Sequence, residues 1–142
     1  MPATTQTIRL TRPAEEVFAR LADFGNLPAW DPMMDESTPV DAYPLAVGSR
    51  FHVVGSLAGA SFELDMEIVA YEPSRRVALE GTGDGLETRE DLRVAPTADG
   101  CEVTYDSSFE TDKADLVDAM TKPAFVLVGK RAISGMRDWF AE

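Results

Sequence analysis

The 142-residue chain reads as an α+β domain in which an antiparallel sheet packs against one long C-terminal helix, with two short helices after the first strand. Three observations predict this. Residues 123–139, PAFVLVGKRAISGMRDW, are the one long stretch of helical period, and place Phe125, Val128, Gly129, Ala132, Met136 and Trp139 on a single face. From Ser49 onward the pattern changes to alternation: Phe62, Leu64, Met66 and Ile68 interleave with Glu63, Asp65 and Glu67, as in a half-buried strand. The strand segments are joined by short turns, Glu72-Pro73-Ser74, Gly81 to Gly85 and Ala98-Asp99-Gly100, so consecutive strands pair antiparallel and leave one apolar face to be covered.

Each element has its local reason. Thr5 to Leu10 forms a first strand with Ile8 and Leu10 on one side. Pro13 opens a helix whose apolar stripe is Ala14, Val17, Phe18 and Leu21, with Glu15 and Glu16 at its positive end and a break at Asp23 to Gly25. A second helical turn from Asn26 to Trp30 stops at Asp31, because the residue before Pro32 is pushed out of the helical region. Trp30, between two prolines, plugs one end of the core. Met33 to Gly48 is a loop with a short strand over Ser37 to Asp41, and further strands cover Arg50 to Gly55, Arg76 to Glu80, Leu86 to Val94 and Glu102 to Glu110. Thr121 caps the last helix and Pro123 occupies its first turn, where no backbone donor is needed. At 1.5 Å per residue that helix spans roughly 25 Å, about the width of a small domain.

Length and composition bound the rest. The chain fits one domain, 1–142, and no apolar run is long enough to span a membrane. A net charge of −12 disfavours nucleic acid and anionic bilayers as partners. The lone Cys101, the N-terminus without a secretory pattern and the absence of an internal disulfide suit a cytoplasmic setting. With one histidine and one cysteine, neither a zinc site nor a serine triad is expected, and no cofactor is called for. Gly81 to Gly85 precedes a strand and reads as a hairpin loop rather than a phosphate cradle. Asp112, Asp115 and Asp118 read as the solvated face of a short helix, without the pattern of a calcium loop.

The interior has candidate chemistry. Gly129, Ala132 and Gly135 lie on or beside the buried face of the last helix, where glycine costs roughly 1 kcal/mol relative to alanine. Two explanations stand together: close approach of the helix to the sheet, or room for a guest lined by Phe62, Leu64, Met66, Tyr105, Phe109 and Phe125. If Leu92 and Val94 point inward, so do Thr88 and Glu90, and Glu90 becomes a carboxyl in apolar surroundings, able to act as an acid or base unless it sits near an open end of the sheet, pairs with an arginine or is expelled by a register break. Tyr105 shares the inward parity of Val103 and Ser107 and could orient a ligand carbonyl. His52 sits in a strand apolar on both faces, so its direction is open. Thr88, Ser107, His52 and Met136 complete the set of candidate ligand contacts.

Several phrases, RPAEEVFARLADFGNLPAWDP at 12–32, VGSRFHV at 47–53, FELDMEIVAYEPSRRVALEG at 62–81 and GCEVTYDSSF at 100–109, together with the element order, resemble the START-like or SRPBCC superfamily, which includes polyketide cyclase/dehydrase-like and lipid-transfer proteins. The resemblance covers almost the whole chain. It implies a helix-grip fold, a curved antiparallel sheet wrapped around the terminal helix with a cavity between them. It also implies a small hydrophobic ligand of polyketide, aromatic or lipid type. Catalysis would take the form of cyclisation, dehydration or isomerisation, with Glu90 as base and Tyr105 as donor to a developing enolate. The alternatives are a non-catalytic carrier and a protein-interaction module like the chaperone cofactors of the same superfamily, the latter favoured by a filled core. A homodimer is left open.

Overall fold

The computed structural model describes residues 3–41, 43–57, 59–112, 114–117 and 121–141. Seven strands, β1 (Ala3–Leu10), β2 (Met34–Pro39), β3 (Arg50–Leu57), β4 (Ala60–Glu72), β5 (Arg76–Gly83), β6 (Leu86–Thr97) and β7 (Gly100–Thr111), form one antiparallel sheet in the order β1-β7-β6-β5-β4-β3-β2. From β2 to β7 every strand pairs with the next in sequence, as short turns dictate, and β1 closes onto β7 with Ile8 opposite Val103. The β5–β6 hairpin turns on Asp84 and Gly85, both at positive φ, which is the conformation a two-residue loop between right-twisted strands requires.

The helices are α1 (Ala14–Ala22), α2 (Leu27–Trp30), α3 (Ala114–Val117) and α4 (Lys122–Ala141), with a 3₁₀ turn at Phe24–Asn26. The helix-grip architecture expected from the resemblance is present. Strand parity sets the core: Phe51 and Val53 of β3, Phe62, Leu64, Met66 and Ile68 of β4, Leu92 and Val94 of β6, and Cys101, Val103, Tyr105 and Phe109 of β7 are all buried on the inner face. α4 packs on β1 along one side and on α2 along the other. Its far end is held by α1 and the turn before it: Arg12 Nε donates to the Phe140 carbonyl at 2.5 Å, and the Arg20 guanidinium of α1 lies 4.2 Å from the Trp139 ring centre and 4.4 Å from that of Phe140.

The structure corrects two details of the sequence reading. The buried face of α4 includes Ile133 and Phe140, whereas Trp139 is only half-buried beneath Arg20. The second strand starts at Met34 rather than Ser37, with an irregularity between Met34 and Glu36 that an alternation pattern cannot show. α3 stands where a short helix was expected after Asp112, but Asp118 and the side chain of Asp115 lie outside the described residues. No helix among the described residues is long and apolar enough to cross a membrane.

Candidate functional site

Two acids and a tyrosine meet inside the molecule. Glu90 is inward on β6 and only 3% exposed. In the β6–β7 register Leu92 lies opposite Tyr105, which makes Tyr105 the diagonal same-face neighbour of Glu90. The Tyr105 hydroxyl donates to Glu90 Oε1 at 3.1 Å, and Glu90 Oε2 has no hydrogen-bond partner. Asp31 ends α2, in the extended conformation that Pro32 enforces, and is 2% exposed. Its carboxylate accepts from the Met33 amide at 3.0 Å. Trp30 meets the Tyr105 ring edge-on, with centroids 5.5 Å apart, and its indole Nε1 is also unpartnered.

Burial dominates the electrostatics. It pushes the Glu90 carboxyl up to about 8, helped by the charge of Asp31 and opposed by the Tyr105 hydrogen bond. Burial likewise lifts Asp31 to about 6, against the Met33 amide, which favours the ionised form. The Tyr105 phenol is held well above its ordinary value, first by burial and then by the two acids. The ion-pair explanation for an inward Glu90 fails on a direct comparison with its neighbour. Asp91, on the opposite face, takes the arginines: Arg76 reaches it at 2.7 Å and Arg93 at 3.5 Å. No cation pairs with Glu90 among the described residues.

The cavity that the described residues enclose beneath α4 is far smaller than expected. Between sheet and α4 the free space is about 10 Å³, room for one water, lined by Thr4, Asp31, Met33, Tyr105, Ser107, Phe125, Val128, Gly129 and Ala132. The rest of the gap is occupied by side chains, among them Phe109 and Phe125 with ring centres 6.0 Å apart. The small residues of α4 serve close approach instead. A Cβ on Gly129 would sit 2.9 Å from Thr4 Cγ2, and one on Gly135 would collide with the backbone carbonyl of Trp30. A larger depression of about 850 Å³ lies elsewhere, an open surface groove between the start of α1 and the β5–β7 strands. Three arginines face three glutamates there, and Arg76 and Arg93 are already committed to Asp91.

The candidates therefore separate by position. Tyr105, Ser107, Phe125, Gly129 and Ala132 line the small cavity, and Glu90 stands one hydrogen bond behind Tyr105. Phe62, Leu64, Met66, Thr88, Phe109 and Met136 are inward but belong to the packed core around it. The Thr88 hydroxyl is left without a partner. His52 does not line the interior at all: it faces outward, opposite Asp65, with Nδ1 3.1 Å from Asp65 and Nε2 3.2 Å from Glu63. Those two hydrogen bonds raise its pKa, and its direction follows from Phe51 and Val53 taking the inner face. Cys101 is buried, and burial raises its thiol, in keeping with an inert residue. Among the described residues no group of acids, histidine and cysteine could hold a metal ion.

Sequence reasoning missed Asp31, Thr4 and Met33 as cavity residues. Asp31 carries a visible signal, an acid inside the otherwise apolar phrase Trp30-Asp31-Pro32-Met33-Met34, but the same residue also explains why the helix ends there.

A curved antiparallel sheet gripping a terminal helix, with a few buried polar groups between them, defines a START-like domain. The chain belongs to the polyketide cyclase/dehydrase and lipid transport family, whose model matches residues 1–139. Comparison with curated proteins found no match. Among solved structures, a protein from Thermus thermophilus aligns with a TM-score of 0.81 at 12% identity, covering 99% of this chain and 97% of its own. A START superfamily protein from Mycobacterium smegmatis aligns at 0.74 and 13% identity, covering 96% and 92%. Ara h 8.0201 aligns at 0.69 and 11% identity, covering 98% and 95%. At these identities the structural likeness speaks for the fold.

Proposed function

We propose that this domain binds a small, mostly apolar molecule between the sheet and α4, seating the polar end of that molecule at Asp31 and Tyr105. The observation that carries this reading is Glu90: a carboxyl 3% exposed, with one oxygen unpartnered, beside a second buried acid and a cavity. Such an arrangement costs several kcal/mol in a protein that does not use it. The family description, cyclase/dehydrase and lipid transport, supports the apolar character of the guest. The guest enters by displacing side chains, Met33 and Phe125 first, since they wall the cavity and methionine repacks at little cost.

The geometry also suits proton transfer of the kind that cyclisation, dehydration or isomerisation needs. Near neutral pH Glu90 keeps its proton while Asp31 has lost its own, so Asp31 is the group to accept a proton and Glu90 the group to supply one. In this reading Glu90 takes the part of the acid, where the sequence alone suggests a base. The filled interior favours one rival, a protein-interaction module without a small guest. Against it, the outer sheet face carries charge pairs, Arg93 with Asp106 and Arg89 with Glu80, where such a partner would need an apolar patch.

Titration with the neutral fluorophore N-phenyl-1-naphthylamine tests the reading. Saturable binding with a blue-shifted emission is expected, weakened about tenfold or more in Ala132→Leu, which fills the cavity while circular dichroism shows the fold retained. Absence of saturable binding, or binding indifferent to Ala132→Leu, would favour the rival.

A further inference from the structure

Resting on the proposal of an interior guest, we infer that the guest carries a protonated aliphatic amine, whose ammonium group sits in the cavity against Asp31 with the Tyr105 and Ser107 hydroxyls beside it. Four observations lead there. Asp31 lines the cavity and its carboxylate has one hydrogen bond, from the Met33 amide, and no cationic partner among the described residues. Glu90, linked through Tyr105, adds a second acid whose Oε2 is unpartnered, so the interior holds two carboxyls and no counter-charge among the described residues. Among the described residues the lining contains no lysine, arginine or histidine, and the Tyr105 hydroxyl already donates to Glu90. A guest ending in a carboxylate or phosphate would therefore place a further acidic group beside Asp31 with little to receive it. The free space, about 10 Å³, matches a water or an ammonium head in size, while Met33, Phe125 and Val128 offer apolar surface to the rest of the molecule. The net charge of −12 enriches cations around the whole molecule, which favours encounter but does not by itself select a buried site.

Matched guests separate the possibilities: 2-phenylethylamine, 2-phenylethanol and phenylacetate, and the octyl series with the same three head groups, each measured by calorimetry near neutral pH. The amine is expected to bind about tenfold or more tighter than the alcohol, and the carboxylate weakest. The preference should persist in about 0.5 M salt, where surface attraction is screened and a buried pair is not. Asp31→Asn, which can still accept from the Met33 amide, should abolish the preference of the amine over the alcohol. Should that variant fail to fold, Glu90→Gln compared with wild type at about pH 9, where Glu90 has lost its proton and the amines keep theirs, is the second probe and should reduce the amine preference several-fold. Equal or tighter binding of the alcohol, a preference lost in salt, or one that survives both substitutions would overturn the inference. If N-phenyl-1-naphthylamine binds while no amine does, the ammonium assignment fails and the pocket stands. If neither binds, the pocket reading falls and the ammonium assignment with it.

Discussion

Glu90 and Asp91 are neighbours in sequence and opposites in surroundings. One backbone step turns the side chain from the interior to the outer face, where Arg76 and Arg93 wait. The unpaired state of Glu90 has a thermodynamic signature. Because its folded pKa, about 8, exceeds the ordinary 4.5, the folded state keeps a proton that the unfolded chain releases. Its contribution to stability is therefore full below about pH 4.5, declines as pH rises through that window and is lost above about 8. Asp31 acts with the same sign between 3.8 and about 6, leaving the interval from 6 to 8 to Glu90. Urea unfolding of wild type and Glu90→Gln should show the stability difference moving in favour of the variant by roughly 2 to 3 kcal/mol across that interval. A constant difference would mean that Glu90 ionises normally. Parity made Glu90 and Tyr105 legible in the sequence, because alternation extends from Leu92 and Val103 to every second residue. It could not reach Asp31 or settle His52. Asp31 is buried by a tertiary contact of α2, and the strand of His52 is apolar on both faces.

At the scale of elements, a glycine in a helix has two meanings in the sequence and the structure chooses one. Gly135 lets α4 approach α2 until the Trp30 carbonyl occupies the place a Cβ would take. A carbonyl is backbone and cannot rotate away as a side chain can. Gly135→Ala should accordingly destabilise the protein by about 1 to 3 kcal/mol, despite the roughly 1 kcal/mol that alanine gains in helix propensity. Gly129→Ala meets only the Thr4 and Gln6 side chains, the nearer at 2.9 Å, and should cost less. A rise in melting temperature for Gly135→Ala would place open space at this contact. Helix and strand identities were readable because the periods of α4 and β4 are long and unbroken. The closeness of α4 to its neighbours was not, since a stripe of small residues looks the same over a cavity as under a tight contact.

At the scale of the whole molecule, the sheet grips a helix across a gap that its own side chains fill, so a guest must make its room. α4 rests on β1 and α2, and the free space beneath it holds about one water. Binding to such an interior requires an opening step before or during entry, which limits the rate and lowers the apparent affinity by the free energy of opening. In stopped-flow mixing with N-phenyl-1-naphthylamine, the observed rate should level off as probe concentration rises, at the rate of opening. The plateau should rise in Phe125→Ala, which removes one wall of the cavity and loosens the Phe109 contact. If the rate instead climbs in proportion to concentration up to about 10⁶ M⁻¹s⁻¹, the interior is accessible without rearrangement. The filled gap would then be one conformation in rapid exchange with a hollow one. Either behaviour is compatible with the buried acids serving a guest, but only the plateau ties their isolation from water to the closure of the grip.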